Sequence, residues 1–517
     1  MIVLECENNL MFGATMTIAP NHHALGQHHA VSHPRRTVLE RREAAAQRIE
    51  PRGRRTMTAE ERAVALVDRG TFTWINRQYA AKAGVVTGWG LVDGRPVVVT
   101  SQDAAIASGA IGTALADAVQ SAQRFALDHG YPIVYLNDSG GARIHDGIKA
   151  LHGCGGIFNL NVKATRRIPQ ISVILGPCAG AAAYSPALTD WTIMVRELGQ
   201  MFLTGPDIVK AATGEDATAE EIGGSGMHAG TSGVAHLAVD DEEAALAAAR
   251  HLLSFVPSHA GAALPGLPSI DPDPVAEARL STVVPEKASI VFDMHDVLNG
   301  VLDRGPRLEL MPGYAPSIVT MLARLDGRPV GVVANQPKAR GGILDAKSSV
   351  KAARFINFCG RFGVPVLTFV DVPGFLPGTV EESRGVITHG ATLLRAYAEA
   401  DGVAKLTVIV RKAYGGAYIA MGSPSIGADR SWAWPASEVA VMGPGGAVGL
   451  LHRRALADAD DPAALRDELA AKYREEVASP YVAADAGIVD DVILPEETRA
   501  RLVGALRVMS PIVSTAS

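Results

Sequence analysis

Two stretches of this chain could hold developing negative charge with backbone atoms alone. Gly176-Pro177-Cys178-Ala179-Gly180-Ala181 closes the β-rich run 171–176, and Lys412-Ala413-Tyr414-Gly415-Gly416-Ala417-Tyr418 follows the similar run 406–411. A strand that ends in such a turn and continues into helix-favouring residues leaves unpaired N–H groups at the helix start, aimed past the strand end. Those groups can stabilise an oxyanion, so Gly180-Ala181 and Gly416-Ala417 offer two oxyanion holes. The competing reading is that the glycines only let helix and sheet pack closely.

Two further loops sit where an α/β fold places ligands, at the carboxyl ends of strands. They are Asp138-Ser139-Gly140-Gly141-Ala142-Arg143 and Asp371-Val372-Pro373-Gly374-Phe375. Asp138 and Asp371 read equally as loop-capping residues and as substrate contacts. Arg143 either grips a phosphate or carboxylate or forms an internal ion pair. Gly-x-x-x-x-Gly-Lys-Ser/Thr, Gly-x-Ser-x-Gly and His-Glu-x-x-His do not occur, so P-loop hydrolysis, esterase-type acyl transfer and zincin chemistry lack their signatures. With no evident nucleophile or base, two oxyanion holes suit a reaction whose reactants carry the base while the protein stabilises enolates.

The elements that must position these residues come in two similar sets. Asp138 lies six positions after Pro132 and Gly141 three after that; Pro365, Asp371 and Gly374 repeat the spacing 233 residues later. Gln102 answers Gln336, Ala-x-Arg-Phe at 122–125 answers 352–355, and the glycine turns follow their Asp by 42 and 45 residues. Such coincidences argue for two related domains facing each other. Apolar β-branched runs at 97–100, 133–136 and 171–175 alternate with helical patterns such as 114–129, and 330–334, 366–370 and 406–410 repeat them. That alternation predicts an α/β fold. Thr58 with Glu61 forms a capping-box start for a helix over 59–68, and 37–48 reads as an exposed helical arm. The proline-rich stretch 259–274 favours an extended linker.

Composition fits small-molecule chemistry. The 517 residues, 48% apolar and 20% charged, describe an ordinary globular chain of two domains, and a net charge of -6 gives no nucleic-acid footprint. Cys6, Cys154, Cys178 and Cys359 show neither disulfide nor zinc-ribbon spacing, and no apolar run reaches 18 residues, so the expected place is cytoplasmic, with no membrane contact. His22, His23, His28, His29 and His33 lack carboxylate or Cys partners at ligand spacing, so 1–36 reads as a flexible tail and no metal is expected.

From about residue 38 to the end, the chain resembles the carboxyltransferase (β) subunits of biotin-dependent acyl-CoA carboxylases of the propionyl-CoA and acetyl-CoA type. The matching stretches are 137–144, 169–180, 184–190, 369–378 and 411–418. The resemblance implies two tandem crotonase-like ββα-superhelix domains: 37–264 for the acyl-CoA, a linker at 265–288, and 289–517 for biotin. It implies a homohexamer of two stacked trimers, with each active site between the first domain of one protomer and the second domain of another. Carboxylate would pass from carboxybiotin to the α-carbon of a short- to medium-chain acyl-CoA, and the biotin anion left behind would take the α-proton. Gly180 and Ala181 would hold the thioester enolate oxygen, and Gly416 and Ala417 the biotin ureido oxygen. Gly140, Gly141, Arg143, Tyr184 and Ile419 would line the acyl-CoA side; Pro373, Gly374, Phe375 and Gly415 would line the biotin side.

No Met-Lys-Met biotinylation sequence and no ATP-grasp segment occur here, so a separate biotin carrier and a biotin carboxylase are required partners. Relatives of this type usually carry Gly-Gly at Gly180-Ala181 and bulky aromatics within 104–108, where this chain has Ala-Ala-Ile-Ala-Ser. Those changes point to a roomier pocket or to repacking. Ile419 holds the position that tunes acyl preference, which hints at broader selection, while core packing explains it almost as well. Two alternatives stay open: a decarboxylase or transcarboxylase running the reaction backward, and a non-catalytic CoA-ester-binding scaffold.

Overall fold

The computed structural model describes residues 56–285, 287 and 290–509; the tail at 1–36 and the arm at 37–48 lie outside them. The first of two eight-stranded sheets lays β1 (Thr73–Trp74), β2 (Val85–Val92), β3 (Arg95–Gln102), β4 (Ile133–Ser139), β5 (Gln170–Ala179), β6 (Trp191–Val195) and β8 (Leu237–Val239) side by side, with β7 (Gln200–Phe202) beside β5. The second repeats it with β9 (Leu308–Leu310), β10 (Ile318–Leu325), β11 (Arg328–Asn335), β12 (Val366–Val372), β13 (Lys405–Tyr414), β14 (Arg430–Ala433) and β16 (Asp491–Val492), with β15 (Glu438–Ala440) beside β13. In each, the first three strands are antiparallel and the remainder parallel. Every residue of β10 and β12 is buried, which explains why their sequences are mostly apolar on both faces.

Helix α1 (Ala59–Leu66) begins in the expected capping box: Thr58 Oγ1 accepts from the Glu61 N–H at 3.2 Å, and the Thr58 N–H donates to Glu61 Oε2 at 2.8 Å. Helices α2 (Thr113–His129), α3 (Ile148–Ala164) and α4 (Ala181–Leu188) join the first-sheet strands. Helix α5 (Met294–Val301) opens the second half, and α6 (Ala346–Phe362), α7 (Val386–Glu399) and α8 (Gly415–Ala420) stand where α2, α3 and α4 stand in the first. Helices α2 and α6 are each 17 residues long and end on left-handed glycines, Gly130 (φ 67°) and Gly363 (φ 71°). That alignment sets Ala122 against Phe355, so the Ala-x-Arg-Phe similarity is not structural.

Strand register corrects a second sequence pairing. Ser101 stands opposite Leu136 and Ala334 opposite Phe369, which makes Asn335, not Gln336, the counterpart of Gln102. The hydrogen bonds agree: Gln102 Oε1 accepts from the Asp138 N–H at 3.1 Å, and Asn335 Oδ1 accepts from the Asp371 N–H at 3.2 Å.

The stretch after Val256 has no regular structure until a short helix at Pro274–Ala278. It is fastened to the second half, since the Leu267 N–H donates to Gly327 O at 3.0 Å and Arg324 Nη1 donates to Pro265 O at 2.7 Å. The halves share one apolar core, in which Trp191 of β6 packs on Phe358 of α6 with ring centroids 4.5 Å apart. Beside them Lys351 is buried, its ammonium donating to the carbonyls of Met311 (2.8 Å), Tyr314 (3.0 Å) and Ile318 (2.7 Å). Burial lowers its pKa to about 8.

Candidate active site

Each half presents the same construction at the end of its central strand. Asp138 and Asp371 lie beneath it, 1% and 0% exposed, and so anchor the loops rather than meet a ligand. Asp138 faces Arg62 Nη1 at 3.3 Å, whose Nε donates to Glu242 Oε1 at 2.6 Å. Asp371 accepts from Arg411 Nη2 at 2.8 Å and from the Lys412 N–H at 3.0 Å. Two buried charges are tolerable only when paired in this way.

Above Asp138 the loop folds over the first turn. An added Cβ at Gly141 (φ 99°) would lie 2.8 Å from Ala179 O, so only glycine fits between the loop and the end of β5. Gly140 donates its N–H to Ser108 O at 2.8 Å, which ties in the unusual 104–108 run. The last two residues of that run and the next are consecutive left-handed residues, Ala107 (φ 48°), Ser108 (φ 53°) and Gly109 (φ 66°), matched in the second half by Arg340 (φ 54°), Gly341 (φ 70°) and Gly342 (φ 76°). A non-glycine residue in that region costs about 1 kcal/mol or more, so the turn is held by its surroundings. Arg143 is half-exposed and its nearest carboxylate is Asp146, with Nε 3.8 Å from Oδ1.

The first glycine turn differs from expectation by one residue. Gly180 (φ 56°) donates its N–H to Phe202 O at 2.9 Å, extending the β5–β7 ladder. Its amide is therefore engaged, and the amides at the start of α4 with no acceptor among the described residues are Ala181 and Ala182. In the second half the left-handed glycine is Gly415 (φ 59°), and the corresponding amides are those of Gly416 and Ala417. Register confirms the alignment, because Ser139 pairs with Cys178 as Val372 pairs with Ala413. Gly180 thus corresponds to Gly415, and the pair Ala181-Ala182 to Gly416-Ala417. An added Cβ at Gly416 would meet nothing within 4 Å, so the space above this turn is open.

The same alignment makes Tyr184 the counterpart of Ile419, and both side chains project from the first turn of their helix, 51% and 42% exposed. Leu203 and Val441, each just past the short strand beside the turn, are likewise exposed. Ile144 and Ile148 in the first half, and Val380 and Ile387 in the second, are exposed apolar residues as well. Pro373, Gly374 and Phe375 occupy the loop equivalent to Gly140-Gly141-Ala142: Leu344 bridges Phe375 as Ile111 bridges Ala142.

One support was invisible in the sequence. The Tyr414 hydroxyl donates to Glu438 Oε2, and Arg474 Nε donates to Glu438 Oε1 at 2.6 Å, fixing the residue before Gly415. Its members are 24 and 36 residues apart and carry no motif. Burial, then the Glu438 carboxylate, pushes the Tyr414 phenol up and keeps it protonated. Burial also pushes up the thiols of Cys154, Cys178 and Cys359, which removes them as thiolate nucleophiles. Among the described residues no group of three His, Cys, Asp or Glu could hold a metal ion, and no helix is long and apolar enough to cross a membrane.

Residues 49–511 match the family model described as a carboxyl transferase domain. The chain belongs to the carboxyl transferase family. It is 50% identical over 467 residues, covering 88% of this chain and 90% of the relative, to a propionyl-CoA carboxylase carboxyltransferase subunit of Haloferax mediterranei. It is 45% identical, with the same coverage, to a methylmalonyl-CoA decarboxylase subunit alpha of Veillonella parvula. The transcarboxylase 12S crystal structure, a hexamer with methylmalonyl-coenzyme A and methylmalonic acid bound, superposes with a TM-score of 0.88 at 40% identity, covering 96% of this chain and 98% of that one. The enzyme therefore has the tandem crotonase-like α/β fold and is a carboxyltransferase of the propionyl-CoA carboxylase and transcarboxylase family.

Proposed function

We propose that this carboxyltransferase moves a carboxyl group between carboxybiotin on a separate carrier protein and the α-carbon of a short- to medium-chain acyl-CoA. The observation that carries the reading is the matched pair of unengaged amides, Ala181-Ala182 and Gly416-Ala417, at the same point of two copies of one fold. Such donors stabilise charge that develops during reaction and need no rearrangement to do so. The first pair holds the thioester oxygen as the α-carbon becomes enolate-like, with Gly140, Gly141, Arg143 and Tyr184 around the acyl-CoA. The second pair, with Pro373, Gly374, Phe375 and Gly415, receives the ureido oxygen of biotin, and the open space above Gly416 fits a ring placed there. Carboxybiotin supplies both the carboxyl group and the base, consistent with a site whose nearby carboxylates are buried in ion pairs.

The apolar surfaces around Tyr184 and Ile419 support an assembly in which the first half of one protomer faces the second half of another, as a hexamer of two stacked trimers. A biotin carboxylase is the further partner, and the cytoplasm is the proposed location. Decarboxylation of a carboxyacyl-CoA uses the same amides in reverse, and relatives named for it stand beside those named for carboxylation.

The test is a panel of acyl-CoA esters from acetyl to octanoyl, given with a carboxylated biotin carrier and read by mass for the carboxylated product. Transfer to at least one ester is expected. No transfer across the panel, in either direction, would leave only the scaffold reading.

A further inference from the structure

A cavity of about 330 Å³ lies at the seam between the halves, away from both amide turns. One wall is the end of α4 at Leu188, with Thr189 and Asp190 following it; the other is α6, through Arg354, Asn357 and Arg361. These three positions are spaced three and four residues apart, so they share one face of the helix.

The donors on that face are under-used. Arg354 carries five N–H donors, yet its guanidinium makes one hydrogen bond among the described residues, from Nη1 to Gly233 O at 3.5 Å, the outer limit of a useful bond. Arg361 Nη2 reaches Asp190 Oδ1 at 2.7 Å, while its buried Nε has no acceptor among the described residues. Asp190 already accepts from the Gln170 N–H at 2.9 Å through its other oxygen. Two guanidinium groups therefore face a single carboxylate, and a largely buried cation with idle donors is costly until an acceptor arrives. Burial pushes Asp190 up to about 6, against the pull of Arg361 and Arg354, and Arg354 down to about 10, as expected of a poorly solvated place.

We propose that this cavity is a binding site for a small oxyanion, a carboxylate or phosphate group, held by Arg354 with Asn357 and Arg361. The carbonyl end of α4 disfavours negative charge, so the anion lies on the α6 wall. Bound there, it bridges the halves at the foot of the helix whose other end carries the Ala181 and Ala182 amides, about 12 Å away along eight residues.

Calorimetric titration of the full chain with inorganic phosphate and, separately, with malonate tests this. One saturable site per chain is expected for at least one probe, and the tighter probe identifies the preferred head group. Arg354→Met should weaken binding at least tenfold. Should that variant fail to fold, Asn357→Asp, which places a like charge against the anion and keeps both arginines, should give the same loss. Absence of saturable binding by either probe, or wild-type affinity in the folded variants, would overturn the proposal.

Discussion

Gly180 and Gly415 occupy one position in two copies of a fold, with φ of 56° and 59°, each just before a pair of amide N–H groups that donate to no acceptor among the described residues. The resemblance is not complete. Gly180 is hydrogen-bonded into its sheet through Phe202, whereas Gly415 is steadied from behind by Tyr414, Glu438 and Arg474. An added Cβ at Gly415 would lie 3.0 Å from Val441 O. Gly415→Ala combines that crowding with a left-handed backbone, so it should destabilise the chain by about 1–2 kcal/mol in urea unfolding. A loss below 0.5 kcal/mol, on the same scale, would show that the turn is not held in this geometry.

Tyr184 and Ile419 share a helical position beside their amides, so both should bear on acyl preference. Ile419→Asp and Tyr184→Ala are each expected to change the ratio of kcat/KM between propionyl-CoA and octanoyl-CoA by about tenfold or more, the scale of a small change in an apolar pocket. Unchanged ratios in both variants would remove these side chains from the pocket.

Much of the fold was legible because strand ends carry strong local signals. Pro132 and Pro365 immediately precede strands, Asp138 and Asp371 are the next-to-last residues of them, and Gly141 and Gly374 turn the chain just beyond, all at one spacing. The first glycine turn was not readable to the residue. Gly180-Ala181-Ala182 offers two overlapping pairs, and only the hydrogen bond from the Gly180 N–H to Phe202 O decides between them. The engagement of the Gly180 amide depends on β7, a three-residue strand with no pattern of its own. The roles of Asp138 and Asp371 were open for a similar reason, since the arginine beneath Asp138 is 76 residues away in the chain.

Arg62 illustrates the energetic weight of such distant partners. Arg62→Met would leave Asp138 and Glu242 buried without their shared cation, at a cost of about 3–5 kcal/mol. Urea unfolding should show that loss. A change under 1 kcal/mol would mean that water reaches the pair.

His295 gives a pH signature. It sits between Glu309 Oε2 at 2.9 Å and Asp293 Oδ1 at 2.8 Å, and hydrogen bonding to Glu309, then Asp293, raises its pKa to about 9 against the opposing effect of burial. The folded value exceeds the unfolded one of about 6.5, so its stabilisation is complete below that pH and is lost as pH rises through 9. The Tm gap between wild type and His295→Gln should be largest at about pH 6 and shrink by more than half at about pH 9.5. A constant gap would place the stabilisation in uncharged contacts.

Gly416 lies in the first turn of α8, where its backbone N–H has no intrahelical partner, so proline there removes the donor without breaking a helical hydrogen bond. Carboxyl transfer from a carboxylated biotin carrier to the best acyl-CoA should be compared in Gly416→Ala, which keeps the amide and has room for its methyl group, and Gly416→Pro. The alanine variant should stay within about fivefold of wild type, while the proline variant, folded to the same extent, should lose about 100-fold or more in kcat. Equal rates in the two variants would contradict the role of the paired amides.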